Sequence, residues 1–245
     1  MTMAISITGL EVRYGDAIAL ADVELQVPAG TSLAVIGPNG SGKSTLLGAI
    51  AGITEPSAGT VSVPGTPAAL VLQSTEVDRS LPITVRDTVS LARYSTLGLF
   101  RRFKAADREA VDRALARMDV GDLAGRQLHD LSGGQRQRAL VAQGLAQDSD
   151  LLLLDEPVNG LDVVSKAIIL AVIDEEVSGG RTVVVTTHNL EDARRCDQVL
   201  LLDRSPVAVG THDEVLTEDH LRQAFGGRFV RVGGELILDD PHHDH

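Results

Sequence analysis

The glycine-rich stretch GPNGSGKST at residues 37–45 constrains the fold more than any other part of the sequence. It fits the phosphate-binding P-loop pattern and lies directly between an apolar strand pattern at 31–36 and a helical pattern that starts at Ser44. Its glycines allow backbone conformations that a Cβ forbids, so successive N–H groups can turn inward and form an anion site at a helix N-terminus. We therefore predict an α/β protein in which Lys43 reaches the β- and γ-phosphates of a nucleotide and Ser44 offers a hydroxyl to Mg²⁺. The predicted nucleotide-binding residues of this loop are Gly37, Pro38, Asn39, Gly40, Ser41, Gly42, Lys43, Ser44 and Thr45.

A second chemical signal is an aliphatic strand pattern that ends in two carboxylates. Residues 151–154 are all leucine, and Asp155 and Glu156 follow them directly. In a P-loop protein, Asp155 is suited to hold Mg²⁺ through its water shell, and Glu156 is suited to polarise the attacking water. The two motifs predict nucleotide hydrolysis, but a P-loop by itself leaves kinases, GTPases and motor ATPases open.

Composition limits the partners that this chain can have. Its 245 residues carry a formal net charge of −12, which argues against a broad nucleic-acid-binding face, because such a face needs clustered Lys and Arg. Cys196 is the single cysteine, so we expect a reducing compartment and a small buried side chain rather than a disulfide. No segment approaches the roughly 20 apolar residues that span a bilayer, and the N-terminus lacks a signal-peptide pattern. We therefore expect a cytoplasmic protein that needs other subunits in order to act across a membrane.

The order of the predicted elements describes an α/β core with a helical interruption. Alternating strand patterns open the chain, and strand–helix–strand alternation after residue 150 indicates a parallel sheet that is covered on both faces. Long helical patterns between Val85 and about Val120 separate these parts, and a helix at 211–225 followed by a small hairpin comes near the end. We predict a single domain over residues 1–238, with a core of 1–74 and 146–238, a helical insertion of about 75–145, and an acidic, histidine-containing tail at 239–245.

The pentapeptide Leu131-Ser132-Gly133-Gly134-Gln135 lies between the P-loop and the acidic strand. Alone it is a glycine-rich turn, but with these neighbours the sequence resembles the ATP-binding subunit of an ABC transporter. The resemblance covers essentially the whole chain, and its motifs occur in the expected order. It implies the ABC ATPase fold, which is a P-loop NTPase core with a parallel sheet, an antiparallel β subdomain and an inserted α-helical subdomain.

The same resemblance assigns roles to four further residues. Tyr14 matches the aromatic residue that stacks on adenine, and His188 matches the histidine that contacts the γ-phosphate. Gln73 matches the glutamine that touches Mg²⁺ and the attacking water and that senses the membrane subunit. Asp162 matches the acid of a loop that crosses between two subunits. The implied catalytic residues are Glu156, His188 and Gln73, and the implied Mg²⁺ ligands are Ser44, Gln73 and Asp155.

The resemblance also implies that the working unit is a head-to-tail dimer. In the family, the signature pentapeptide (here Leu131–Gln135) completes the ATP site of the facing subunit, so that two ATP molecules lie between two copies of the chain. ATP binding closes the dimer and hydrolysis lets it open. Such a dimer would act on integral-membrane permease subunits at the inner face of the cell membrane, and indirectly with an extracytoplasmic substrate-binding protein.

Two segments resemble the manganese, zinc and iron branch of ABC importers. They are residues 74–85 and the ending from Arg222 onward, in which His242–His245 include candidate ligands for a borderline metal. We therefore expect the ATPase subunit of a divalent-metal importer. An ABC ATPase that serves a non-metal substrate stays open. A soluble ABC protein of translation or DNA repair is the further alternative, although this chain has one P-loop and no long coiled-coil insertion.

Overall fold

The computed structural model describes residues 2–73, 82–97, 102–226, 229–232 and 235–238. It divides into two compact units, which we call the first unit (Met1–Gly65 with Thr182–His245) and the second unit (Thr66–Arg181). The strands are β1 (Met3–Tyr14), β2 (Ala17–Pro28), β3 (Ser32–Ile36), β4 (Ala58–Ser62), β5 (Ala69–Val71), β6 (Leu151–Leu154), β7 (Thr182–Thr187), β8 (Gln198–Asp203), β9 (Ser205–Gly210), β10 (Phe229–Val232) and β11 (Glu235–Leu238). The helices are α1 (Lys43–Ile50), α2 (Val85–Leu97), α3 (Ala105–Arg117), α4 (Gly133–Ala146), α5 (Val163–Ser178), α6 (Leu190–Arg194), α7 (His212–Val215) and α8 (Glu218–Phe225).

An antiparallel sheet with the strand order β2-β1-β4 forms one part of the first unit. β1 is a strand because its apolar residues alternate with polar ones, so that one face can be buried. Ile5 and Ile7 are fully buried, whereas Thr8 is exposed. The strand extends beyond the predicted pattern as far as Tyr14. The structure therefore confirms the predicted antiparallel β subdomain and places Tyr14 at the end of its central strand.

Strands β7, β3, β8 and β9 lie side by side in that order in the first unit. β3 pairs in parallel with β7 and β8, whereas β9 is antiparallel to β8. Every residue of β3 and β7 is buried, as expected for parallel strands that are covered on both faces. The sequence analysis did not predict β9, because Pro206 weakens the strand pattern. Proline is tolerated at the edge of a sheet, where its missing N–H has no partner to lose.

The C-terminal part of the first unit packs on this sheet through an apolar cluster. Ile36 of β3 and Leu201 of β8 lie in one cluster with Leu190 of α6, Leu221 of α8 and Cys196. Cys196 is a free, buried cysteine, as predicted. The antiparallel pairing of β10 with β11 also confirms the small hairpin.

One helix prediction in this region is wrong. The sequence pattern gave a continuous helix at 211–225, but the structure has two helices, α7 and α8. The backbone leaves the helical region at Leu216, and Thr217 starts α8 as its N-cap by accepting a hydrogen bond from the His220 N–H. A threonine that can cap a new helix indicated the break, but the continuous apolar periodicity of 211–225 outweighed it in the prediction.

Helix α4 is central to the second unit, where it packs against α2, α3, α5 and β5. Its buried face includes Ala139, Val141 and Ala142. A largely buried ion pair joins α2 to α3, because the Arg93 guanidinium lies 3.0 Å from the Asp107 carboxylate. The same guanidinium donates a 3.0 Å hydrogen bond to the carbonyl of Ala146 at the end of α4. Strands β5 and β6 pair in parallel in the same unit.

The second unit is wider than the predicted helical insertion of about 75–145, because it also holds β5, β6 and α5. The division of residues 1–238 into core and insertion stays a prediction. The tail at 239–245 and most of the 74–85 segment lie outside the described residues. Within the ranges that the structure describes, no helix combines the length and the apolar character needed to cross a membrane.

Candidate nucleotide-binding site

The P-loop connects β3 to α1, and its geometry fits a phosphate group. Gly42 is the N-cap of α1 with φ 97, and a Cβ there would lie 2.5 Å from Leu20 Cδ2 and 2.7 Å from the Ala19 carbonyl oxygen. Residues with a side chain are therefore excluded unless β2 moves. Gly42 supplies no side-chain cap, so the positive end of the helix dipole is not offset by a capping oxygen. This is the arrangement that favours an anion at a helix N-terminus.

Lys43 contributes its charge from inside the loop. The side chain is buried, and Nζ donates hydrogen bonds to the carbonyl oxygens of Gly37 at 2.9 Å and Pro38 at 3.2 Å. Ser44 is exposed, and the buried Ser41 Oγ has no hydrogen-bond partner in the described structure. The loop thus combines a buried cation, an unsatisfied hydroxyl and an exposed hydroxyl. These groups suit the phosphates of a nucleotide and, at Ser44, an Mg²⁺ ligand.

His188 leaves the sheet at the same edge as the P-loop. β3 and β7 are parallel neighbours with Ile36 opposite Thr187, and the P-loop and His188 each follow directly after these residues. The Thr187 hydroxyl accepts a 3.0 Å hydrogen bond from the Asn189 N–H. The Asn189 side chain in turn caps α6 by accepting a 2.8 Å bond from the Glu191 N–H. These bonds fix the short turn that carries His188.

Tyr14 lies at the end of β1 that is near the P-loop. It is 59% exposed and pairs with Ala17 across the β1–β2 hairpin. Ala19 and Leu20 of the same hairpin approach Gly42 closely. An exposed ring in this place is suited to stack on a nucleotide base.

The second unit brings Gln73, Asp155 and Glu156 to one sheet edge. Val71 pairs with Leu154 in parallel register, and the Asp155 N–H continues the ladder with a 2.9 Å bond to the Val71 carbonyl. Asp155 is 6% exposed, whereas Gln73 is exposed two residues beyond β5. A buried carboxylate and an amide oxygen are hard oxygen donors of the kind that Mg²⁺ prefers.

Glu156 adopts an unusual backbone conformation. Its φ is 45, in the left-handed region that residues with a side chain seldom adopt. The Asn159 Nδ2 donates a 2.8 Å hydrogen bond to Glu156 Oε2. The sequence analysis did not identify this partner, because an asparagine in a turn is commonplace.

The signature pentapeptide forms the N-terminus of α4. Ser132 is the N-cap, and it exchanges hydrogen bonds with Gln135 in a capping box. Gly134 is buried against the start of α5, where a Cβ would lie 2.4 Å from Ser165 Oγ and 2.5 Å from Asp162 Oδ2. The exposed residues of the pentapeptide are Ser132 and Gly133.

Asp162 caps α5 and is held in the ionised form. Its Oδ1 accepts a 2.9 Å bond from the Ser165 N–H, and this backbone hydrogen bond lowers the pKa of Asp162 below its ordinary value. The sequence analysis missed Ser165, although an aspartate three residues before a serine at a helix start is an N-cap signal.

The predicted site residues therefore form three groups. The P-loop, Tyr14 and His188 lie in the first unit, whereas Gln73, Asp155 and Glu156 form one group in the second unit and the signature pentapeptide with Asp162 forms another. In the described part of the chain, no group of three or more His, Cys, Asp and Glu side chains could hold a metal ion. The candidate ligands His242–His245 lie outside that part.

Comparison with known proteins identifies the family to which this chain belongs. The family model described as ABC transporter matches residues 20–159. The manganese transport system ATP-binding protein MntB of Bacillus subtilis is 36% identical over 243 residues, which is 96% of this chain and 97% of the relative. The chain belongs to the ABC transporter ATP-binding family. As a member of it, the chain is an ATP-binding and ATP-hydrolysing subunit.

Other ABC proteins are similar to this ABC ATPase in sequence and in fold. The zinc transport system ATP-binding protein TroB of Treponema pallidum is 37% identical over 237 residues, with 92% of this chain and 88% of the relative covered. A chain of an ABC transporter in an inward-facing conformation has a TM-score of 0.83 at 29% identity and covers 96% of both chains. A dimeric bacterial ABC transporter cassette has a TM-score of 0.75 at 25% identity, with 85% of this chain and 98% of that chain covered. These likenesses confirm the predicted ABC ATPase fold.

Proposed function

We propose that this ABC ATPase powers the import of a divalent metal cation, which is manganese, zinc or iron. The observation that carries the metal assignment is the likeness to proteins named for manganese and zinc transport over more than nine tenths of the chain. The likeness is spread over both units, so it is not a consequence of the P-loop alone. The importer would contain a permease, on which this subunit sits at the inner face of the cell membrane, and would receive metal from an extracytoplasmic binding protein.

The geometry of the site residues supports the following proposed roles. Residues 37–45 hold the phosphates, with the Lys43 charge inside the loop, and Tyr14 stacks on adenine. Asp155, Ser44 and Gln73 supply the oxygen ligands for Mg²⁺, which neutralises phosphate charge when it is bound. Glu156 polarises the attacking water, and His188 contacts the γ-phosphate from the carboxyl end of β7.

The signature pentapeptide acts on a second copy of the chain. Ser132 and Gly133 are exposed at the positive end of α4, so they can offer a hydroxyl and N–H groups to a γ-phosphate on a facing subunit. Asp162 lies beside this end and belongs to the loop that contacts the partner. Residues 1–238 thus act as one ABC ATPase domain that is complete only as a head-to-tail dimer.

Replacement of Glu156 by Gln tests the hydrolytic role. We expect Glu156→Gln to bind ATP with unchanged affinity, to hydrolyse it at least about a hundredfold more slowly, and to accumulate as an ATP-bound dimer. Steady-state ATPase assays and sedimentation with ATP measure both effects. Turnover close to that of the unaltered chain would contradict the role of Glu156.

Metal uptake tests the transported substrate. A deletion strain should lose accumulation of one of manganese, zinc and iron, and the unaltered gene should restore it, whereas a Lys43→Ala variant should not. Unchanged accumulation of all three metals would contradict metal import. It would favour an ABC transporter for another substrate, or a soluble ABC protein, without affecting the ATPase assignment.

A further inference from the structure

Two hydrogen bonds tie Glu156 to the loop that follows it. The Asn159 Nδ2 donates to Glu156 Oε2 at 2.8 Å, and the Asn159 backbone N–H donates to the Glu156 carbonyl oxygen at 3.3 Å. The backbone bond closes the turn, and the side-chain bond holds one carboxylate oxygen over Asn159. Asn159 therefore contacts both the main chain and the side chain of Glu156.

The side-chain bond cannot be explained by core packing. Asn159 is exposed and Glu156 is only half-buried, so neither side chain fills an apolar space. The backbone of Glu156 is in the left-handed region, which costs conformational free energy and persists only where the surroundings impose it. In this turn, the Glu156 carboxylate accepts the hydrogen bond from Asn159. Because a glutamate has three side-chain torsions, fixing one carboxylate oxygen sharply restricts where the other can lie.

We propose that Asn159 is a positioning residue that orients the Glu156 carboxylate for polarising the attacking water. The inference rests on the catalytic role proposed for Glu156 and adds to it a second residue, which acts through that carboxylate. General-base action depends on hydrogen-bond geometry to the water, so a carboxylate that loses an orienting hydrogen bond is a poorer base. Asn159 reaches neither ATP nor the water in this role. Its loss should therefore lower kcat and leave nucleotide affinity unchanged.

A purely structural role for Asn159 makes a different prediction. Asparagine and aspartate both favour turns, so Asn159→Asp would be harmless if only the turn mattered. An aspartate, however, presents an acceptor and a negative charge to the Glu156 carboxylate in place of a donor. The positioning role therefore predicts that Asn159→Asp is more harmful than Asn159→Ala, and that Asn159→Ser, which keeps a donor, is less harmful.

The test measures ATP hydrolysis and ATP binding by the full chain, assembled with its permease if the isolated subunit is inactive. We expect Asn159→Ala to lower kcat about tenfold, with KM and the Kd for ATP changed less than about twofold. Gln223→Glu, which makes the same amide-to-carboxylate change on the exposed face of α8, is the control and should leave kcat unchanged. A higher kcat in Asn159→Ala would show that the bond restrains Glu156, and it would overturn the proposal. So would an unaltered kcat in Asn159→Asp.

A double-mutant cycle separates this inference from the proposed function. In a Glu156→Gln background, Asn159→Ala should lower the residual rate less than about twofold, because the base that it positions is already gone. An equal, roughly tenfold loss in both backgrounds would mean that Asn159 acts elsewhere, and it would overturn the inference alone. Wild-type turnover in Glu156→Gln would instead overturn the role of Glu156 itself. A Kd for ATP that rises with each Asn159 variant would also contradict a positioning role.

Discussion

At the scale of single residues, one glycine determines how closely the signature helix packs on its neighbour. The signature helix α4 can pack on the start of α5 only because Gly134 has no side chain, and the same contact places Asp162 beside the pentapeptide. Gly133, the preceding residue, has nothing within 4 Å of a Cβ added to it. Two adjacent glycines in one motif therefore serve different purposes. The second is required by packing, whereas the first keeps the exposed helix end open.

Alanine at each of these glycines should separate the two purposes. Gly134→Ala places a methyl group 3.0 Å or less from Ser165 and Asp162, so we expect a loss of about 2 kcal/mol in the free energy of unfolding. Gly133→Ala meets no atom and should be neutral or slightly stabilising, because alanine favours a helix. Urea unfolding of both variants measures the difference. Equal destabilisation of the two would contradict the close packing of Gly134.

The sequence predicted the positions of those residues whose motif requires a particular local backbone structure. A P-loop requires a strand, a glycine-rich turn and a helix in immediate succession, so the position of Lys43 followed from the order of residues alone. Asn159 and Ser165 were not predicted as partners of Glu156 and Asp162. The Asn159 contact depends on the backbone of a short turn, with φ 45 at Glu156, and no residue type there reveals that angle. The Ser165 contact could have been predicted, because an aspartate just before a helical pattern is an N-cap signal.

At the scale of elements, ion pairs connect the helices of the second unit. Arg117 at the end of α3 contacts Glu175 and Glu176 of α5, and Arg181 contacts Glu176 from the other side. Glu176 is nearly buried, whereas Glu175 is 62% exposed at its side chain. Partial burial opposes ionisation of Glu176, but hydrogen bonds from Arg181 and Arg117 outweigh it, so the pKa of Glu176 lies below its ordinary value. The pattern of charges along α3 and α5 did not predict this contact, because each helix by itself has a solvated charged face.

Removal of the Glu176 charge should destabilise the protein in a pH-dependent way. We expect Glu176→Gln to lose about 2 kcal/mol at neutral pH, because Arg181 then loses its carboxylate partner and Arg117 keeps only Glu175. A carboxylate whose pKa is lowered by folding stabilises the fold above its unfolded-state pKa, and this contribution disappears as the pH falls through the folded-state pKa. The difference between Glu176→Gln and the unaltered chain should therefore shrink as the pH falls below the ordinary value of 4.5.

Glu175→Gln is the matched control, because it removes the neighbouring charge on the same helix. Its ion pair with Arg117 is largely exposed, so we expect less than about 1 kcal/mol at any pH. Thermal or urea unfolding between about pH 3 and 8, a range that extends below the usual pKa of a glutamate, compares the two variants. A pH-independent loss in Glu176→Gln would contradict the electrostatic explanation.

At the scale of the whole molecule, the proposed head-to-tail dimer uses two helix N-termini of each chain. Lys43 is at the start of α1 in the first unit, and Ser132 is at the start of α4 in the second unit. Both are helix N-termini, where backbone N–H groups favour a phosphate, although the Ser132 side chain already accepts from the Gln135 N–H at the start of α4. In the proposed head-to-tail pair, the two ends would bind one γ-phosphate from opposite sides, with ATP as the bridge between the copies. Loss of the γ-phosphate would remove that bridge and allow the permease-linked cycle to continue.

Mixed dimers distinguish a site shared between copies from a site within one copy. Lys43→Ala abolishes the P-loop half, and Ser132→Arg blocks the signature half while it leaves ATP binding to the chain's own P-loop. If the site is shared, a dimer of one Lys43→Ala chain and one Ser132→Arg chain contains one doubly altered site and one intact site. Built in a Glu156→Gln background to prevent hydrolysis, this mixed dimer should trap ATP in one of its two sites. The Ser132→Arg homodimer should bind ATP but exchange it freely, and the Lys43→Ala homodimer should bind little ATP. If the mixed dimer traps no ATP, Lys43 and Ser132 of the same chain complete one site, and the head-to-tail arrangement is wrong.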